Sequence, residues 1–417
     1  LDVNFYRGAT VSFSDGNRKL ICDPWLIDGI YYGAWAHYPA YTEEDWARDK
    51  PEEADYIYIS HIHPDHFDPV TLGRLKKDKK VIIHSFVSKF LKRKIEALGF
   101  EVIELENGAA FEIAPNFRLR VFAADNCDPS ACSSFFKCGS DKTAQIDSMG
   151  IIEAGNIAIA NINDCPWGLG HKLARQLGHE YRIEAACLAH GLAGAFPQCY
   201  DLPDDFKAEC AEKRMEQSLK LMLRWMVALR TYKVLPFAAG YQLCGKLAGR
   251  NKHRGIPPPE MARDVLMDVG AEPICNFTIL DGVDAYITDV LSKRKLDYEM
   301  DPMPEDQEVL DLLPAAYKRL NAKRKELDYR GKATVHIRLN DKRWFVIPPI
   351  GDPFYREKGE PVEPYVEIET DPRLLSRLLS GPSRAHWNNA EIGSHLTFNQ
   401  HGPGDYGLSL LMSSFHA

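Results

Sequence analysis

The 417 residues contain no apolar run long enough to span a bilayer and no excess of positive charge. The first absence argues against a transmembrane helix. No secretory leader pattern opens the chain, which does not start with methionine, so the cytoplasm is the expected compartment. The second absence argues against nucleic acid as a partner: 51 basic against 59 acidic residues give a net charge of -8, leaving no broad field to neutralise phosphates. The run Lys76-Lys77-Asp78-Lys79-Lys80 reads as a solvated face. Cys-x-x-Cys pairs are also missing. The ten cysteines are too spread for a small disulfide scaffold and read as free thiols, although Cys127, Cys132 and Cys138 cluster. No glycine-rich strand-to-helix motif points to a dinucleotide.

What is present is a globular composition, 45% hydrophobic and 26% charged, with chain enough for one large core and an appended layer, or for two domains. One stretch concentrates the chemistry. Residues 56–59, Tyr-Ile-Tyr-Ile, alternate aromatic and branched side chains as a buried strand does, and they lead into Ser60-His61-Ile62-His63-Pro64-Asp65-His66. Imidazole and carboxylate are ligands for borderline and hard divalent metals, and a strand end holds them rigidly beside an open loop. The spacing suits two ions: His61 and His63 converge on one, while Asp65 and His66 turn toward a second.

Upstream, 3–5, 10–13 and 19–22 read as an antiparallel meander ending in Asp23-Pro24-Trp25. Asp23 is either an acceptor behind a ligand imidazole or a turn cap. Residues 26–40, rich in glycine and aromatics, form either a substrate wall or an aromatic-anchored surface loop. Downstream, helices over 70–76 and 87–98 alternate with strands over 80–84 and 101–106, followed by a hairpin over 109–123, which gives an α/β layered fold. A strand over 150–160, with a Gly155-Asn156 turn inside it, ends at Asn163-Asp164, where a carboxylate can bridge two cations. A small-residue strand, 185–191, delivers His190 to a glycine turn. The longest helical pattern, 206–232, carries an apolar stripe that reads as core. Tyr200, in a pocket-like turn, is a candidate substrate contact. The basic loop 249–259, with Arg250, His253 and Arg254, either holds an anionic substrate or is simply solvated. Residues 398–407 read as turn-rich.

His61, His63, Asp65 and His66 match the His-x-His-x-Asp-His pattern, and the chain on this basis resembles the metallo-β-lactamase superfamily. More closely it is similar to the metal-binding part of the CMP-N-acetylneuraminic acid hydroxylases, through Cys22-Asp23-Pro24-Trp25-Leu26, residues 55–61, Asn163-Asp164-Cys165 and residues 236–241. The resemblance implies an α/β fold, an αββα sandwich over residues 1–290 with a small α+β appendage over 291–417. It also implies a dinuclear centre in which Asp164 bridges and His190 completes the second site with Asp65 and His66. Where the superfamily usually supplies a third histidine to the His61–His63 site, the best match here is Asp128, with Asp125 as the alternative.

A carboxylate at that place makes the site harder and resembles the di-iron oxygenases of this fold. The expected function is therefore a di-iron oxygenase acting on a small polar or nucleotide- or sugar-linked metabolite, an anionic one included, with two iron ions as cofactor. The alternative is a dizinc hydrolase cleaving an ester, lactone, amide or phosphodiester, with Asp65 and Asp164 as catalytic carboxylates in either case. The hydroxylases also carry a Rieske iron–sulfur region, which needs a Cys-x-His and a later Cys-x-x-His. This chain has no Cys-x-His, and its one Cys-x-x-His, Cys187 to His190, overlaps a ligand position. An oxygenase reading thus requires a separate electron donor.

Overall fold

The computed structural model describes residues 1–124, 146–274, 282–357, 361–403, 408–412 and 415. Two sheets face one another. In the first, strands Asp2–Phe5, Val11–Ser14 and Lys19–Cys22 form the antiparallel meander, and Tyr56–Tyr58, Lys80–His84 and Glu101–Leu105 continue it in parallel. Parallel neighbours need crossovers, and the helices Pro69–Arg74 and Phe90–Ala97 supply them. The register aligns Ile21, Ile57, Val81 and Val102 in one row. Period-two alternation then decides which layer each side chain joins. Ile57 packs outward with Leu72, Leu91 and Ile95 of the helices, whereas its neighbour Tyr58 packs inward.

The second sheet runs from Ala110–Ala114 through Phe117–Ala123, Ser148–Ala154, Ile157–Asn161, Ile183–Ala189 and Lys233–Phe237 to Glu272–Pro273. Between the sheets lie Phe13, Leu20 and Tyr58 from one side and Leu119, Ile152, Cys187 and Phe237 from the other. On its far face, Trp167–Glu180, Asp204–Leu229 and Pro259–Asp268 bury Ala174, Leu177, Met222, Trp225 and Leu266. Helix, sheet, sheet, helix is the αββα sandwich of the metallo-β-lactamase fold. None of the described helices is long and apolar enough to cross a membrane.

Beyond residue 300, helices Asp306–Glu326 and Pro372–Ser380 accompany a five-stranded sheet of Thr334–Asn340, Arg343–Ile347, Phe354–Arg356, Tyr365–Glu369 and Thr397–His401. This α+β portion shares one hydrophobic cluster with the early segment: Trp25, Tyr31 and Trp35 pack with Leu313, Leu378, Trp387 and Phe415.

Several local expectations change. Residues 398–407 begin as a strand, because Thr397–His401 pairs antiparallel with Tyr365–Glu369 despite its Asn, Gln and His; tertiary pairing overrides weak intrinsic preference. The strand over 150–160 is a hairpin turning at Gly155, whose φ of +61° needs glycine. Part of the basic loop is a 3-10 helix, Gly245–His253. Residues 26–40 contain a short buried helical turn, Ile30–Gly33, and a buried strand, Trp35–His37.

Candidate metal centre

The strand Tyr56–Tyr58 ends one residue before Ile59-Ser60-His61, and backbone pairing from Ile59 N to Ile82 O carries its direction onward. Asp23, at the end of the neighbouring parallel strand, is the hub. Its Oδ1 accepts from Ser60 N at 2.7 Å, and its Oδ2 accepts from Ser60 Oγ at 2.7 Å and His66 Nδ1 at 2.9 Å. Asp23 and His66 are both fully buried. Of the two roles read for Asp23, the acceptor behind an imidazole is the one it has.

These bonds decide where each ring carries its proton. Ser60 Oγ gives its hydrogen to Asp23, so at 2.9 Å from His61 Nδ1 it accepts, and His61 Nε2 keeps its lone pair. Asn388 Oδ1, 3.1 Å from His63 Nε2, accepts there and leaves the lone pair on His63 Nδ1. Phe237 O, 3.1 Å from His190 Nδ1, does the same for His190, whose Nε2 is buried without a hydrogen-bond partner. His66 Nε2 is likewise buried without a hydrogen-bond partner, 3.3 Å from Asp164 Oδ2 and 3.6 Å from Asp65 Oδ2. His61 Nε2 and His63 Nδ1 stand 2.9 Å apart, two lone pairs facing each other. Ligands each about 2.1 Å from one ion are separated by about 3 Å, so this spacing fits a shared cation. Ligand atoms of His61, His66 and Asp164 all lie within 4.8 Å of one another.

Electrostatics agree with the geometry. Burial holds the imidazoles of His61 and His63 below the usual range, and that of His190 at about 4, so these rings are neutral and ready to ligate. Burial opposes charge on His66 too, yet Asp164, Asp65 and Asp23 outweigh it and raise that group well above its ordinary value. The same field favours any positive charge placed among them. Burial also raises the carboxyl of Asp65, whose Oδ1 accepts from Tyr31 OH at 2.6 Å.

Asp128 and Asp125 lie outside the described residues. Among the described residues a carboxylate besides Asp164 stands near His61: Asp147, whose Oδ1 is 3.9 Å from His61 Nε2. Burial first, and then Asp164, push its carboxyl up to about 7. Sequence reasoning missed it, though a signal existed: extending the hairpin register from Gly150↔Asn161 sets Asp147 across from Asp164. Asn388, from the helix Trp387–Ile392, is the other unforeseen neighbour.

The four substrate candidates have surroundings of their own. Arg250 is committed to structure, donating to Ser394 O at 2.6 Å, Leu396 O at 2.7 Å and Thr397 Oγ1 at 2.7 Å. Tyr200 stacks on Phe398, ring centroids 5.0 Å apart, and burial pushes its hydroxyl up to about 12. His253 is buried at the end of its 3-10 helix. Arg254 is buried beside a cavity.

No family model matches the chain. Among curated proteins, it is 28% identical over 206 residues to a Mycobacterium tuberculosis protein described as "Putative Rieske 2Fe-2S iron-sulfur protein", covering 48% of this chain and 37% of that one. It is 25% identical over 252 residues to the cytidine monophosphate-N-acetylneuraminic acid hydroxylase of Xenopus laevis, covering 58% of this chain and 38% of that one. The chain thus spans under two fifths of the length of either relative. Solved structures similar to it include CmlA, a diiron beta-hydroxylase from Streptomyces venezuelae, at 15% identity and TM-score 0.41 over 65% of this chain and 52% of that one. An isothiocyanate hydrolase from Delia radicum gut bacteria aligns at 15% identity and TM-score 0.45 over 64% and 92%.

Proposed function

We propose that the chain is a metal-dependent enzyme, a di-iron oxygenase that hydroxylates a small polar metabolite. One ion would be held by His61, His63 and Asp147, the other by Asp65, His66 and His190, with Asp164 shared between them. The observation that carries the choice of metal is Asp147: a carboxylate beside His61, where a third imidazole would make the site softer, suits iron that passes through a ferric state. Four imidazole nitrogens and three carboxylates make up this ligand set, and two divalent cations would balance the carboxylates with Asp23 behind them. Bound in reduced form, the irons would supply the electrons and Lewis acidity that activate dioxygen.

The chain's own groups do the rest. Asp23 and Ser60 fix the His61 and His66 rings, Tyr31 fixes Asp65, and Asn388 caps His63 on the side away from His61. Net turnover takes one dioxygen, two electrons, two protons and a C–H bond to an alcohol and water. The two electrons come from a donor outside these 417 residues. Two of the similar proteins are described as an iron–sulfur protein and a hydroxylase, which supports this reading.

The test is metal content on protein purified without added metal, followed by dioxygen uptake with a chemical reductant. About two irons per chain, the count a dinuclear site requires, with reductant-dependent uptake, is expected. Zinc at that stoichiometry, with no activity in an iron-loaded form, would replace oxygenation with hydrolysis of an ester, lactone, amide or phosphodiester.

A further inference from the structure

The fold also forms a partly open cavity of about 450 Å3, inside the size range of small-molecule sites. It begins directly behind the His190 turn. A Cβ added at Gly191 would meet Ala239 Cβ at 2.8 Å and Ile256 Cγ2 at 2.9 Å, and both of those residues line the cavity.

Its wall also contains Arg254, which is only 9% exposed. The guanidinium lies over the Tyr241 ring, 4.8 Å from its centroid. Nη1 donates to Tyr241 O, Nη2 donates to Gln242 Oε1 at 2.6 Å, and Nε is buried with no hydrogen-bond partner. Both acceptors are neutral. Among the described residues no carboxylate forms an ion pair with it: the neighbouring Lys252 takes Asp204 at 2.6 Å, and Asp284 lines the cavity without reaching Arg254. A buried arginine is ordinarily matched by a carboxylate, since removing a cation from water without one is costly. Here the guanidinium, unmatched by any described carboxylate, stands in the wall of a space large enough for a ligand.

We infer that this cavity is an oxyanion-binding subsite in which Arg254 supplies the countercharge for a phosphate or carboxylate of a small molecule. That the molecule is the enzyme's substrate rests on the reading of the metal centre above; that the cavity binds an oxyanion does not. Tyr241 separates the two regions. Its ring stacks on Trp35 at 3.3 Å between centroids, Trp35 packs on Tyr31, and Tyr31 holds Asp65, so the anionic group would be held behind an aromatic layer rather than at the reacting atoms.

The test uses Gln242→Glu, which puts a carboxylate where Arg254 already has a hydrogen-bond acceptor and changes almost no volume. Calorimetric titration of the full chain, as purified, with inorganic phosphate and separately with acetate should show saturable binding of at least one. Gln242→Glu should weaken it at least tenfold while raising the melting temperature, because the guanidinium then has an internal partner. Arg254→Gln should weaken it similarly. Tighter binding of phosphate than of acetate assigns a phosphorylated ligand, and the reverse assigns a carboxylate. Equal affinity in wild type and Gln242→Glu would overturn the inference, since the anion would then be bound at the metals or elsewhere, and so would absence of binding by both anions. Metal content measured on the same samples reports separately on the metal centre.

Discussion

Asp23 Oδ2 lies 2.9 Å from His66 Nδ1, with no solvent reaching either side chain. This pair joins the end of one parallel strand to a ligand beyond the end of the next, and it fixes both the ring's orientation and its tautomer. Asp23→Asn keeps the volume but gives up the carboxylate, and its amide can present a donor toward the His66 ring. Metal affinity, measured by chelator competition, should fall about 10- to 100-fold. Unchanged affinity would mean that the pair does not orient the ligand.

Arg250 gives a contrast between position in a basic segment and actual role. Its donors tie Ser394, Leu396 and Thr397 to the body of the molecule. Arg250→Ala strands those acceptors and should cost about 2–4 kcal/mol in urea unfolding. Phosphate affinity should stay at the wild-type value, whereas a substrate-binding role would lower it.

His395 bears on pH. Its Nε2 lies 2.7 Å from Tyr31 O, and burial holds the imidazole at about 4, below the ordinary 6.5. A base whose folded value is depressed contributes full stability above the unfolded value and loses it as pH falls. Between pH 6.5 and 4 this group should therefore remove up to roughly 3 kcal/mol from the wild type. His395→Gln should flatten the stability profile across that interval, and parallel profiles for the two proteins would contradict the assignment.

Gly178 marks a close helix approach. A Cβ there would meet Ala228 O at 2.5 Å and Leu229 C at 2.8 Å, backbone atoms that cannot step aside. Gly178→Ala should destabilise the chain by about 1–3 kcal/mol despite its better helix propensity, with metal content unaffected.

A layered α/β fold was legible because strands and helical crossovers alternate along the chain; the αββα arrangement itself followed from the resemblance carried by the His61-to-His66 motif. His61, His63, Asp65 and His66 stand out in the sequence because they are adjacent, and Asp164 and His190 because each follows a strand at a place where the resemblance implies a ligand. Asp147 was hidden for a different reason: the Gly155-Asn156 turn is legible, but unless it is taken as the corner of an antiparallel hairpin nothing sets 147 across from 164. Asn388 was invisible for another reason, since its contact with His63 spans 325 residues and no local pattern encodes it. Arg250 and Arg254 share one basic segment, yet one is a structural tie and the other faces a cavity. That difference depends on which backbone oxygens surround each.

The same 325-residue span has a temporal side. A ribosome adding about 5–20 residues per second releases His63 roughly 15–65 s before Asn388. Throughout that interval the ligand loop can exist without its C-terminal cap, open to whichever cation the surroundings offer. Arrival of the last helices then shuts that face of the ring. The choice of metal can thus be made by availability during synthesis as well as by the finished site's affinity.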